Sequence, residues 1–461
     1  MSSKKRGIVN KQGVCFIALC VLLGGNIYAQ DFGFGFDDEE NGSPPAAAKP
    51  VSVSIGGEVS ASMVGYIDDF SEGPDHVRLG DIFSGKLNFS AETSFAEGAI
   101  NLKLAPSASP VAIDEAYVRG FFGGFDITAG MRKITWGKAD SLGPLDVVNP
   151  LDYSQIFIEM ADNVSLMGVK IARPLVHAAF RFGNFSKIEG VFVPWFQPHR
   201  IPRTGIWAAS QMEMLILADS FGIVVGEPDT GTLEYAQAGL RYTTTVGGAD
   251  IGAQYYYGRL PQPSVGISFI PSSLIPLVDI LYNPYHQIGL DYAQVLFGFN
   301  TRAEFAANIT EDLEGDNGSI YNPSVLWSFG FDRDLFLNVN LNLQINESIR
   351  MRHDKLAGKF DMDNPLSILS GNFDIEGGSE LTATRLTASL SRKFLRDELE
   401  LRAALVWGME DRDCAFLPAL IWSKNDIRFA LSGCFFTGNS DGQLGQYRDN
   451  NFLKIALAYT F

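Results

Sequence analysis

From residue 51 onward, apolar and polar residues alternate one for one in segment after segment. The clearest run covers residues 335–346. Leu335, Leu337, Val339, Leu341, Leu343 and Ile345 fall on one face, and Asn338, Asn340, Asn342, Gln344 and Asn346 on the other. Successive strand side chains point to opposite faces, so this run predicts a strand with one oily and one amide-lined face. The pattern recurs where Leu87, Phe89 and Ala91 alternate with Lys86, Asn88, Ser90 and Glu92. It returns where Ala303, Phe305, Ala307 and Ile309 alternate with Arg302, Glu304 and Asn308. Near the C-terminus, Leu399, Leu401, Ala403, Leu405 and Trp407 alternate with Glu398, Glu400 and Arg402, and Ile427, Phe429 and Leu431 with Arg428 and Ser432. Alternating segments of about ten residues, separated by turn residues, are the signature of an antiparallel transmembrane barrel. An Arg or Lys facing lipid at the midplane costs ~2–4 kcal/mol, so these charges are expected to face the lumen.

The rest of the chain narrows the choice. Lys4, Lys5 and Arg6 precede an apolar stretch at 14–23, and Ile27-Tyr28-Ala29 is a cleavage site, so residues 1–29 read as a secretory signal. The apolar stretch falls short of the ~20 residues a membrane helix needs. No later segment supplies such a span, so a membrane form of this chain has to be a closed barrel. Residues 30–50, with Phe32, Phe34 and Phe36 before an acidic and Pro-rich stretch, read as a flexible tether; the barrel is expected over 51–461. Tight links are expected near Glu97-Gly98, Gly123-Gly124, Gly183-Asn184, Gly247-Gly248, Gly298, Asp332-Arg333, Leu395-Arg396 and Lys424-Asn425. Longer connections alternate with them, around 67–83, 137–162, 196–232, 260–284, 310–321, 347–380 and 437–448, with shorter ones near 106–110 and 409–412. The tally is about 16–18 strands, eighteen as the best reading, in an all-β up-and-down arrangement with both termini on the short-turn, periplasmic side. The last strand carries Leu453, Ile455, Leu457, Tyr459 and a terminal Phe461. It resembles the signal that the outer-membrane barrel-assembly machinery reads, which makes that machinery and the membrane lipid expected partners.

Composition excludes more than it proposes. A net charge of −17 argues against a nucleic-acid partner. His76, His177, His199, His286 and His353 are scattered, without metal-ligand spacing. The acidic loop at 312–318 lacks the full EF-hand spacing and reads as solvated, as do Asp361 and Asp363. No nucleophile elbow or phosphate-binding glycine loop occurs, so no enzyme, metal or cofactor is expected. Cys15 and Cys20 leave with the signal. Cys414 and Cys434 are equidistant from Lys424, which would oppose them on neighbouring strands of a hairpin and makes them a candidate disulfide.

Two segments resemble a poorly characterised family of porin-like outer-membrane barrels: Trp136-Gly137-Lys138-Ala139-Asp140 with Asp146-Val147-Val148-Asn149-Pro150, and Val193-Pro194-Trp195-Phe196-Gln197-Pro198. The resemblance implies a cell-surface barrel and a channel. It carries over no catalytic residue and no substrate. Both segments fall where a strand meets an external loop, with Trp136 and Trp195 suited to the aromatic girdle at the membrane boundary. Such loops either form a rigid rim or fold inward and narrow the pore. Candidate pore-lining residues are Lys86, Glu92, Arg132, Arg241, Asp291, Arg302, Glu304, Asn338, Asn340, Asn342, Gln344, Arg385, Glu400, Arg402 and Arg428. Their signs nearly balance. Two long loops are unusually apolar, at 206–225 and 267–280, which points to a plug or to an apolar ligand. The expected function is a passive channel for small solutes. The alternatives are gated uptake of hydrophobic molecules through these loops, or a surface adhesin or structural barrel.

Overall fold

The computed structural model describes residues 51–67, 77–78, 83–105, 110–154, 156–162, 166–209, 224–269, 276–357 and 381–461. The signal at 1–29, the tether at 30–50, His76, Asp361, Asp363 and most of the apolar stretch at 206–225 lie outside them.

The strands are β1 (Ser52–Tyr66), β2 (Val77–Arg78), β3 (Phe83–Glu92), β4 (Ala96–Leu104), β5 (Val111–Phe122), β6 (Phe125–Arg132), β7 (Arg173–Phe182) and β8 (Ser186–Val193). They continue with β9 (Val224–Gly226), β10 (Gln237–Val246), β11 (Ala249–Arg259), β12 (Ser264–Phe269), β13 (Pro276–Leu281), β14 (Pro284–Leu296), β15 (Phe299–Thr310) and β16 (Ser324–Asp334). The last six are β17 (Val339–Arg350), β18 (Thr382–Phe394), β19 (Leu399–Gly408), β20 (Asp413–Lys424), β21 (Ile427–Thr437) and β22 (Phe452–Thr460). All but β2, β9, β12 and β13 form a closed antiparallel barrel of eighteen strands, each paired with its neighbour in sequence. Closure comes from β22, which pairs with both β21 and β1. Among the described residues the barrel wall has no open edge, as a wall in hydrocarbon requires.

Directly opposed residues on antiparallel strands share a face. Asp291 opposes Glu304, Glu304 opposes Ser328, and Ser328 opposes Asn346, so one polar ring runs across four strands. That face is the interior. On β14, Gln287 and Asp291 are 1% and 3% exposed, whereas Ile288 and Leu290 between them are 52% and 54% exposed. Polar inside and apolar outside is the inverse of a soluble protein and the arrangement of a lipid-facing wall.

Short turns and long connections sit at opposite ends, as the sequence pattern predicts, but two turns lie elsewhere. Glu97 and Gly98 belong to β4, and the chain reverses at 93–95 instead. Asp332 and Arg333 belong to β16, and the reversal falls at 335–338. Asn338 is therefore an exposed turn residue, not part of the lumen ladder, which runs from Asn340 through Asn346. Leu337 and Asn338 take φ of 64° and 56°. Consecutive left-handed residues match the twist of a hairpin. Leu335 and Leu337 of the turn keep the phase of the apolar face, so that face alone could not mark the reversal.

The cysteine pairing is overturned. Cys414 opposes Thr437, three positions beyond Cys434, and Cys434 itself pairs across the other edge with Phe452. The hairpin turn falls at 425–426, not on Lys424. An odd shift in register moves a residue to the other face. Cys434 faces the interior, buried among Ala415, Leu417 and Phe436, while Cys414 shares the outward face with Phe416 and Leu420. Both thiols are free.

The apolar connection after β11 carries β12 and β13, which form a small sheet, with β12 antiparallel and β9 parallel to β13. Val265, Val278 and Ile280 are buried there with Ile201 and Val225. The acidic loop is closed by its own backbone: the Asp312 carboxylate accepts N–H bonds from Gly315 and Asn317. Among the described residues no His, Cys, Asp and Glu side chains group as a metal site.

Candidate functional site

The described residues of the 133–172 connection, between β6 and β7, fold into the barrel, and the polar wall holds them there. The Glu304 carboxylate accepts the backbone N–H groups of Lys138, Ala139 (2.7 Å) and Leu145 (3.3 Å). Successive N–H groups converging on an anion form a nest. A nest needs close backbone approach. A β-carbon on Gly137 or Gly143 would overlap that carboxylate, and Gly137 has φ +93°. The Trp-Gly-Lys-Ala-Asp motif is thus the cradle of Glu304.

The anchoring continues round the wall. Gln344 accepts N–H bonds from Asp140 (3.0 Å) and Ser141 (3.2 Å) and donates to the Leu142 carbonyl (3.2 Å). Arg302 and Asn342 hold the Asp140 carboxylate. Gln287 and Gln254 donate to the Pro144 and Leu145 carbonyls, each at 3.0 Å. Asn149 accepts the Ile134 N–H (2.7 Å) and donates to the Arg132 (3.0 Å) and Ile171 (2.9 Å) carbonyls, tying the entry and exit of the segment together. Lys170 pairs with Asp146 at 2.5 Å, yet burial pushes the Asp146 carboxyl above its ordinary value. The Leu151 N–H donates to His199 Nδ1 (2.9 Å), so the imidazole is an unprotonated acceptor, and burial holds it down to about 3.

Further along, the helix α1 (Ile156–Asp162) lies on β20 and β21. Its carbonyls meet cations: at the C-terminus Arg402 donates to Ala161 (3.1 Å) and Arg428 to Asp162 (2.8 Å), and nearer the start Lys454 donates to Ile158 (3.1 Å). Lys454 also pairs with the Asp162 carboxylate at 3.1 Å. Cations at a helix C-terminus are favoured by the aligned peptide dipoles and satisfy its free carbonyls. The apolar side of α1 covers an apolar patch of the inner wall. Phe157 meets Trp207, Phe436 and Tyr447 at ring distances of 5.5, 4.9 and 5.4 Å. The apolar Ile206 and Trp207 are thereby used inside the barrel.

The candidate lumen residues divide into two groups. Arg302, Glu304, Asn342, Gln344, Arg402 and Arg428 hold the inserted segment. Arg241 and Asp291 form a buried pair at 2.6 Å beside Glu189. Arg385 bonds Gln443, and Asn340 donates to Asp334 (2.9 Å). Glu400 opposes Lys393. On the other side Lys86 pairs with Glu58 at 3.7 Å, Glu92 is exposed at the end of β3, and Arg132 lies over the Tyr117 ring and donates to Thr128 (2.9 Å). Trp136 corrects another expectation: it is buried inside, against Tyr256 and over Gly239, rather than in a girdle. An inserted motif outside regular structure has no fixed face, so its Trp could not be placed from spacing. Lys454, Gln254, Gln287, Asn149 and Asp162 were missed. The first three were visible as polar members of alternating runs; the last two carry no such signal.

Above the inserted segment, at the long-loop end, lies a cavity of ≈ 270 Å³, bounded by Pro144 and Asn149 below and by Asn308, Asn346 and Arg385 on the wall.

No family model and no curated protein matches the chain. Solved structures do. OccK3 of Pseudomonas aeruginosa is 7% identical with a TM-score of 0.50, covering 89% of this chain and 95% of that one. OmpT, an outer membrane protein of Vibrio cholerae, is 9% identical with a TM-score of 0.43, covering 90% and 100%. OmpF of Salmonella typhi is 8% identical with a TM-score of 0.42, covering 89% and 97%. With OccK3 the chain shares the fold of a closed antiparallel β-barrel.

Proposed function

We propose that this protein is an outer-membrane channel that passes small solutes passively, through a lumen narrowed by its own 133–172 segment. One observation carries the reading. The polar side chains of the lumen wall, on strands from β11 to β22, bind the backbone of an inserted segment instead of packing a core. Barrels of about 16–18 strands enclose enough width for an aqueous path, and a constriction inside such a path sets selectivity. In this reading residues 1–29 direct export, and the final strand ending at Phe461 engages the assembly machinery. No catalytic role is assigned.

Single-channel conductance of the folded mature barrel in a planar bilayer tests this. We expect discrete ohmic steps, and larger ones when Arg428→Gln and Lys454→Gln release the end of α1. Silence from folded protein in both forms would overturn the channel reading.

A further inference from the structure

We infer that the cavity at the long-loop end binds uncharged, polyhydroxylated solutes of the saccharide class. For its role the inference rests on the channel reading, since it names what enters the same lumen. At ≈ 270 Å³ the cavity is close to the lower end of the ~300–1,000 Å³ range of small-molecule sites. Its lining holds nine amide side chains, four arginines and five carboxylates. The charges nearly cancel, and those on the wall are already engaged within the protein. Arg259 donates to the Tyr282 (3.1 Å) and Glu234 (3.3 Å) carbonyls. Arg173 donates to those of Val148 and Trp195. Asp413 accepts the N–H groups of Leu444 and Gly445, and Asp411 that of Gln443.

Amides and hydroxyls are what remain for a ligand. Ser324, Ser348 and Gln262 line the cavity, and their side chains make no hydrogen bond among the described residues. Asn308 and Asn346 each accept one bond from a neighbouring glutamine, and their amide N–H groups stay free. The buried amide nitrogens of Gln237 and Gln443, at the same wall, have no acceptor. Amides and hydroxyls both donate and accept. A carboxylate or phosphate would use only the donors, and an ammonium only the acceptors. Vicinal hydroxyls use both, so a sugar-like solute satisfies this wall most fully.

Isothermal titration of the folded full-length mature barrel in detergent, with maltotriose against gluconate, tests the inference. We expect binding heat with maltotriose, little with gluconate, and at least tenfold weaker maltotriose binding in Asn346→Leu and in Ser348→Ala. Both variants are first checked for heat-modifiable gel migration; the second removes a single hydroxyl and keeps the wall intact. No heat with maltotriose, or equal heat with gluconate, would overturn it. Bilayer conductance on the same preparation separates the two readings. Conducting protein without maltotriose heat sinks the saccharide site alone, and maltotriose heat from silent protein supports the site while sinking the channel.

Discussion

Gly137 shows how much one residue of the inserted segment constrains. Its φ of +93° disfavours any side chain, and a β-carbon would meet the Glu304 carboxylate. Gly137→Ala should lower stability by roughly 1–3 kcal/mol, the usual scale of a strained backbone position, read as a lower urea midpoint with an unchanged slope. His199 gives a pH dependence whose sign is fixed by its direction of shift. Its folded value is about 3 and its unfolded value 6.5. The stability it contributes is therefore full above pH 6.5 and is lost progressively as pH falls toward 3, because only the unfolded imidazole takes up a proton in that window. Susceptibility of the 149–153 region to protease should rise below pH 6.5, and His199→Gln, which keeps an acceptor without titrating, should flatten that rise. An unchanged profile in the variant would refute the assignment. The Gly in Trp136-Gly137-Lys138 was readable as a motif; its partner, 167 positions later in Glu304, was not.

In strand pairing a small displacement of a turn changes the partner of every side chain. Placing the β20–β21 turn on Lys424 made Cys414 and Cys434 face one another; the actual register puts Thr437 opposite Cys414. Two consequences follow from that register. Alkylation of the denatured wild type without reductant should label both thiols. Thr437→Cys should oxidise with Cys414, leaving only Cys434 to label, since directly opposed strand positions have Cα atoms within disulfide reach at about 4.5–5.5 Å. Labelling of all three thiols after oxidation would mean another register. The displaced turn at 335–338 has the same origin. Alternation specifies faces but not where a chain reverses, and Leu335 and Leu337 continue the period through the turn itself.

At the scale of the whole molecule, closure is the central fact. Among the described residues, strand β22 is the sole link between β21 and β1. Deleting residues 452–461 leaves two strand edges with unpaired N–H and C=O groups, each costing several kcal/mol in hydrocarbon. The truncated chain should give no heat-modifiable band on gels where the full barrel does; a persistent folded band would contradict the closure seen here. The sequence by itself determined the class, the strand number and, strand by strand, which side chains share a face, because lipid outside and water inside impose a period of two that each strand obeys locally. It did not determine what the polar residues of that face do. Lys86 and Glu304 are equivalent in the alternation, yet one meets a neighbouring carboxylate in an exposed pair and the other holds a loop in place. That difference was decided only in three dimensions, since the 133–172 segment has no repeat to fix its faces and its partners lie on strands far along the chain. Their unsatisfied polar groups, brought together by barrel closure, are what fold the segment inward.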